Sequence, residues 1–413
     1  MKILFLLTQD LESPSGLGRY YPLARELTYL GHQVTIAALH PDYQSLENHR
    51  FEVEGVRVWY VAPMHVRKIG NVKSYYPASK LLLLTAQATW QLSRAALTIP
   101  ADIVHIGKPH PMNSLAGLIA KYLRGRQVYL DCDDAETDSG HFSSHWQKLG
   151  VEFFEQKMPF WVDFITTHTC FNRDRIVASG VSPERVFYLS NGVDRARFMP
   201  PAPETLQELR NQLGLKGKKV VLFLGSLSRP SHPVDLLLEA FKQVSQIEPL
   251  ARLLLVGGGE DYDYLVTQVQ QMGLSDVVLL PGRVSPDQVA LYYHLADVSV
   301  DPVRDDDAAR GRSPLKLFES WACGVPFVSA DVGDRRMLLG SPPAGLLAQP
   351  GNAESLAKVI HQILSDPGMA ETFRQRGLER VKSYYWDQLA RELNTIYQRN
   401  YHPANRVSAL IRK

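Results

Sequence analysis

The run Ser313-Pro314-Leu315-Lys316-Leu317-Phe318-Glu319-Ser320-Trp321-Ala322-Cys323-Gly324-Val325-Pro326 sets a polar entry, one carboxylate and a Gly-Val-Pro stop around a short helix. The strand Phe327-Val328-Ser329 follows directly. A helix entered this way at the edge of a parallel sheet turns unpaired backbone N–H groups toward a phosphorylated ligand. Pro314, Leu315 and Lys316 open it, where negative charge on a departing phosphate is best received. For Lys316 the alternative is a plain surface charge. Glu319 offers a carboxylate that can accept two hydroxyl hydrogen bonds at once, against the blander reading of an exposed helix residue.

A second chemical signal lies near the start. Ser13-Pro14-Ser15-Gly16-Leu17-Gly18-Arg19 joins a strand to a helix, and Gly16 and Gly18 would let backbone N–H groups approach a diphosphate, with Arg19 at the helix start. A ligand-free tight turn is the competing reading. The dinucleotide fingerprint is incomplete, because Tyr21 stands where its last glycine would fall, so hydride transfer loses ground. Further along, His105 and His110 flank Gly107-Lys108-Pro109 at a strand end, and Asp131-Cys132-Asp133-Asp134 follows the strand Val128 to Leu130. Asp131, Asp133 and Asp134 either hydrogen-bond ligand hydroxyls or cap the strand end. Their clustering also suits Mg²⁺, but helix ends and Arg229 can neutralise a diphosphate without a metal, and none is assigned.

The chain that must position these groups has 413 residues, 45% of them hydrophobic, which suits two domains of about 200 residues each. Lys plus Arg number 45 against 43 Asp plus Glu, so no global charge favours wrapping a nucleic acid. Three scattered cysteines, Cys132, Cys170 and Cys323, form neither a disulfide framework nor a zinc motif and point to a reducing cytoplasm. The opening Met1 to Asp10 reads as a buried strand rather than a signal peptide, and the apolar stretch Leu81 to Ala88 falls well short of the roughly 20 residues that span a bilayer. No repeat or low-complexity tract appears beyond Asp305-Asp306-Asp307, which reads as a solvated loop.

Periodicity predicts an α/β chain. Strands are expected at 3–7, 33–38, 57–61, 103–106, 127–131, 164–167 and 186–188, with helices at 20–30, 80–96, 114–122, 147–158 and 172–179. A Pro-rich passage at 198–203 marks a domain boundary. Strands at 220–224, 252–256, 277–280 and 298–300 then alternate with helices at 234–244, 262–272 and 286–295, a second open parallel sheet. Trp386 to Tyr397 carries Leu389, Leu393, Ile396 and Tyr397 on one face and needs a partner surface. The basic, aromatic stretch Arg67 to Leu84 suits either contact with lipid or a core helix.

Taken in order, Ser15 to Arg19, Ser190-Asn191-Gly192-Val193-Asp194 with Phe198 and Pro200, Leu254 to Gly259 and Ser313 to Pro326 resemble the retaining glycosyltransferases of family 4 over nearly the whole chain. The resemblance implies the GT-B fold, two Rossmann-like parallel-sheet domains facing across a cleft. It places an acceptor domain at 1–198, completed by the helix 384–400, a donor domain at 199–383 and a polar tail at 401–413. It implies no cofactor but a UDP- or GDP-hexose as donor, a saccharide or lipid-linked acceptor, and a cytoplasmic setting with peripheral membrane contact. Glu319 would hold the donor ribose, with Gly16, Gly18, Gly225, Ser226, His232, Arg283, Ser313, Pro314, Leu315 and Lys316 completing the donor set. Arg19, His105, His110, Asp133 and Asp134 fall on the acceptor side, and Glu319, Arg229 and Asp131 form the catalytic set. The leaving phosphate itself would help as base, so no protein nucleophile is required.

Several positions depart from the family pattern. Gly311 stands where a second glutamate is common, Ser226 and His232-Pro233 replace a diphosphate-binding arginine and lysine, and Asp131 replaces a histidine. Arg229 could reach the phosphates from the same loop through its rigid multidentate guanidinium. These departures keep two alternatives open, a nucleotide-sugar epimerase and a non-catalytic sugar-nucleotide-binding scaffold on the same fold.

Overall fold

The computed structural model of the protein describes residues 1–13, 15–64, 66–69, 72–132, 137 and 145–401. The chain divides into two compact units. One comprises Met1–Arg67, Tyr75–Ser190 and the chain from Trp386 onward, the other Asn191–Tyr385 with the short segment Lys68–Ser74. Asn191 to Phe198, expected in the first domain, go with the second unit because they pack there. Val193 bridges Tyr385, and Phe198 lies against Tyr293.

The first unit is built on strands β1 (Lys2–Leu6), β2 (Gln33–His40), β3 (Arg50–Val53) and β4 (Val56–Pro63). The pair β5 (Val66–Ile69) and β6 (Val72–Tyr75) stands apart as a two-stranded piece. β7 (Ile103–Gly107), β8 (Gln127–Cys132), β9 (Phe164–Thr167) and β10 (Val186–Tyr188) complete an eight-stranded sheet in the order β10-β9-β8-β7-β1-β2-β4-β3. All neighbours pair in parallel except β3 with β4. Alternate residues of β1 serve opposite faces. Leu4 and Leu6 pack with the helices Ala78–Thr98, Pro111–Arg124 and His145–Trp161, while Ile3 and Phe5 pack with Tyr21–Tyr29 and Trp386–Asn400. That second face is the surface the amphipathic C-terminal stretch requires. The edge strand β3 is absent from the sequence reading because its hairpin turns on Glu54-Gly55, both at positive φ, rather than on the Asn-Gly or Asp-Gly that announces such a turn.

The second unit carries β11 (Lys219–Leu224), β12 (Ala251–Val256), β13 (Val278–Gly282), β14 (Val298–Val300), β15 (Phe327–Ala330) and β16 (Gly345–Ala348) in the order β13-β12-β11-β14-β15-β16. Every pairing is parallel. Each sheet reverses its winding once, between β1 and β7 in the first unit and between β11 and β14 in the second. Ligands of open α/β sheets bind outside the carboxyl ends of the strands at such reversal points.

At the second reversal the loops after β11 and β12 meet backbone to backbone. A Cβ on Gly257 would lie 1.9 Å from the carbonyl oxygen of Gly225, and its φ is +139°. We expect Gly257→Ala to cost at least about 2 kcal/mol, since it adds a clash to a backbone conformation that side chains avoid. Urea unfolding of the full chain measures it.

Candidate functional site

In the second unit the short strand β14 ends at Val300, and the next residue, Asp301, is 1% exposed. A buried carboxylate must be paired. Lys316 Nζ donates to Asp301 Oδ1 at 2.9 Å, and Arg335 Nη2 donates to Oδ2 at 3.0 Å. Arg335 makes three further donations, to Ser329 Oγ and to the carbonyls of Ala309 and Val332. The Lys316 ammonium meets Asp301 and, at 3.4 Å, His232 Nδ1, and lies 5.0 Å from the Phe223 ring centre, which leaves a third N–H without a hydrogen-bond acceptor among the described residues.

His232 lies edge-on to Phe223 and 3.8 Å from Asp301. Burial, then the charges of Lys316 and Arg312, hold its pKa well below the ordinary histidine value, so the ring is neutral. Two buried cations therefore face one buried carboxylate, a local surplus of positive charge. Burial also lowers the Lys316 pKa, against the pull of Asp301. The surplus opens toward Gly225, whose Cβ position lies 3.7 Å from Lys316 Nζ.

Lys316 sits in the first turn of the helix Leu315–Ala322, whose N-cap is Pro314. The carbonyl of the buried Ser313 is fixed by Asn191 Nδ2 at 3.2 Å. Leu317 N–H donates to the Pro314 carbonyl at 3.2 Å, and the N–H groups before it, which lack intrahelical acceptors, carry the positive end of the helix dipole. Glu319 lies three residues on, about 4.5 Å along the axis and on the same face. Tyr293 Oη donates to its Oε2 at 2.8 Å, while Oε1 has no protein donor among the described residues. Burial raises the Glu319 pKa, opposed by the Tyr293 hydrogen bond and the charges of Arg197 and Lys316.

Arg229, expected to reach the phosphates, does otherwise. Its backbone N–H and Nε donate to Asp261 at 2.7 and 3.1 Å, and its guanidinium lies 3.9 Å over the Tyr264 ring. Ser226 is exposed, as is Arg283 after β13. Asp301, Arg335 and Tyr293 were missed by the sequence reading. A carboxylate directly after a buried strand was the available signal for Asp301; nothing local marks the other two.

The first unit closes rather than opens its acidic site. Arg19 and Asp131, assigned separately to acceptor and catalysis, are partners of each other, at 2.7 and 2.8 Å through two N–H groups. Both are 2% exposed or less. Arg19 also donates to the carbonyls of Ser190 and Leu189, and Thr166 Oγ1 donates to Asp131 at 2.6 Å. Burial alone would raise the Asp131 pKa, but the Arg19 charge and hydrogen bonds, with His105 and Thr166, hold it well below the carboxylate range. Arg19 leaves a π-helical turn, Gly16–Tyr20, instead of opening an α-helix. A Cβ on Gly16 would lie 1.9 Å from the carbonyl of Asp10, so this glycine lets the loop fold onto itself; Gly18 lies in the same turn.

His105 is a core residue, not a surface one. It stacks on Phe5 at a centroid distance of 5.0 Å and meets the Tyr397 hydroxyl, and burial lowers its pKa to about 4. His110 does stand at the reversal point, where Nδ1 meets Thr8 Oγ1 at 2.8 Å across the ends of β1 and β7. A cavity of about 340 Å³ in this unit is lined by Cys132, Glu155, Asn172 and Arg175 among others. Asp133 and Asp134 lie outside the described residues.

A histidine whose folded pKa is lowered stabilises the fold fully above its unfolded value of about 6.5. That stability is lost as pH falls toward the folded value of about 4. His105 alone should thus withdraw on the order of 3 kcal/mol over that window. His105→Gln should flatten the loss in chemical unfolding measured between pH 7 and 5. In the second unit, Lys316→Met should weaken nucleotide diphosphate binding by about tenfold or more, while Arg229→Ala changes it less than about threefold, both read by calorimetry.

Residues 206–380 match the sequence profile of "Glycosyl transferases group 1", and residues 15–192 that of the "Glycosyl transferase 4-like domain". D-inositol 3-phosphate glycosyltransferase of Corynebacterium aurimucosum is 25% identical over 251 residues, covering 59% of this chain and 58% of that protein. The chain spans between about half and three-fifths of the length of the first such relatives. In structure, it is similar to sucrose-phosphate synthase from Thermosynechococcus elongatus, with a TM-score of 0.76, 21% identity and coverage of 97% of this chain and 99% of that one. It is also similar to Anabaena HepE in complex with UDP-glucose, with a TM-score of 0.72, 17% identity and coverage of 96% and 99%.

Proposed function

Because the chain belongs to the group 1 glycosyltransferases of family 4, built on the GT-B fold, we propose that it moves a hexosyl group from a nucleoside-diphosphate sugar to a saccharide or lipid-linked acceptor, with retention. A cytoplasmic setting, contact with the membrane surface and a role in cell-surface polysaccharide or glycolipid synthesis belong to the same reading. One observation carries it: buried positive charge in surplus at the reversal point of the second sheet, one helical turn from a carboxylate oxygen with no protein donor among the described residues.

The chemistry follows from that arrangement. A diphosphate would neutralise the surplus through Lys316 and the first-turn N–H groups of Leu315–Ala322, and those donors strengthen as the leaving group gains charge. Ribose hydroxyls would donate to Glu319, while Tyr293 keeps its second oxygen in place. In the reading of same-face attack, a departing phosphate oxygen takes the acceptor proton, so the chain's task is to hold charge and exclude water. Lys316 and the helix end would then supply the charge that Ser226 and His232 do not.

The test is acceptor-dependent release of UDP or GDP from a panel of nucleotide sugars, with the product followed by mass spectrometry. Transfer of sugar to an acceptor is expected. Donor binding without turnover for any acceptor would instead support a scaffold. Glu319→Gln should raise the donor KM by about ten- to a hundredfold, with thermal stability little changed.

A further inference from the structure

The helices Ala78–Thr98, Pro111–Arg124 and His145–Trp161 form one layer on one face of the first sheet. The inward residues of the first two are mostly small, including Ala88, Ala95, Ala116 and Ala120, while the third turns Val151 and Met158 inward. All three carry large apolar residues on their outward faces as well. Leu83 and Trp90 are 69% and 71% exposed, Leu115 and Tyr122 are 39% and 68%, and Trp146 and Phe153 are 39% and 48%. In each helix the two residues are seven apart, which keeps them on one face. A helix that only covers a sheet places its large apolar residues inward and charge outward. In the second unit Val234–Ile247 does so, with Leu237 and Phe241 buried and Glu239 and Lys242 outside.

Charge says what covers this surface. The three helices carry six Lys or Arg residues against two Glu. A second copy meeting it about a two-fold axis would set like charge against like charge. An anionic bilayer surface complements both the charge and the apolar rings. No helix among the described residues is long and apolar enough to cross a membrane, so the contact lies along the surface.

We propose that the outer face of this three-helix layer docks on an anionic lipid surface. The proposal deepens the lipid-linked branch of the transferase reading and rests on it for its purpose, though docking itself is measured without turnover.

The full chain is mixed with vesicles of phosphatidylcholine alone, or of equal parts phosphatidylcholine and phosphatidylglycerol, and sedimented. Binding is expected to the mixed vesicles and to weaken with salt. Each large side chain removed should weaken partitioning by about tenfold, so the combined variant Trp90→Ser, Tyr122→Ser, Phe153→Ser should lose on the order of a thousandfold. These side chains are exposed, so melting temperature and nucleotide binding in the second unit should be kept, which separates lost docking from lost folding. Absent binding to mixed vesicles, or binding that the variant retains, overturns the proposal. So does a dimer that the variant dissolves without any vesicle binding, which would assign the face to a second copy. If vesicle binding holds while no nucleotide sugar is bound or turned over, the transferase reading fails and the docking surface stands.

Discussion

The buried carboxylate of Asp301 organises the second unit's site. Without it, Lys316 and Arg335 would be two cations held out of water with no counter-charge, a situation that costs several kcal/mol per ion. With it, Arg335 ties the loops around Ala309 and Val332 to the end of β14, and Lys316 is drawn inward from the start of its helix. The helix Leu315–Ala322 is thereby oriented, and Glu319 with it. One aspartate cannot neutralise both partners, so positive charge is in surplus beside Asp301. In the proposed function a diphosphate would offset it, and by linkage would also stabilise the unit that binds it.

Asp131 in the first unit makes a useful contrast. It too is a buried aspartate at the carboxyl end of a strand, but the cation it holds, Arg19, comes from the helical turn after β1 rather than from an element that follows its own strand. Here one guanidinium meets one carboxylate in a bidentate pair, Thr166 takes part of the remaining capacity, and two carbonyls absorb further N–H groups. The charges balance. Such a pair specifies how the loop after β1 seats on β8, and removing one partner would leave an unpaired buried ion at a cost of about 3–5 kcal/mol. Asp301 follows the strand at the reversal and Asp131 ends the strand next to it, yet the larger difference is the count of cations, one around Asp131 and two around Asp301.

That count is what sequence alone could not supply. Periodicity gave the alternation of strands and helices, and the run from Ser313 to Pro326 placed Lys316 and Glu319 on one helix face, because those signals are local. The pairing of Arg19 with Asp131 joins residues 112 apart, and Arg335 reaches Asp301 across 34. No local pattern marks either. Arg229 illustrates the opposite error: it lies on the right loop, yet Asp261 and Tyr264, from the loop and helix after β12, offer it a carboxylate and an aromatic face. Proximity in sequence to a binding loop does not decide where a long side chain points. His105 was misplaced for a related reason, since its neighbours Phe5, Tyr129 and Tyr397 come from three distant elements.

The leucines at 81–84 show a further limit of pattern reading. A 3.6-residue period identifies an apolar stripe but not the side of the helix on which the core lies. Both stripes of Ala78–Thr98 are apolar: Ala88, Leu92 and Ala95 face the sheet, while Leu83 and Trp90 face away. Apart from Leu81 and Leu92, size distinguishes them. Where Ala or Gly lines the inner face, a helix can lie close to its sheet, as at Gly117, whose Cβ would come within 2.2 Å of the Ile106 side chain. The larger apolar groups are then free to serve a surface outside the fold, and their cost in water is offset only when something covers them. An alanine-lined stripe opposite an aromatic one is therefore a more specific sign of a docking helix than hydrophobicity itself.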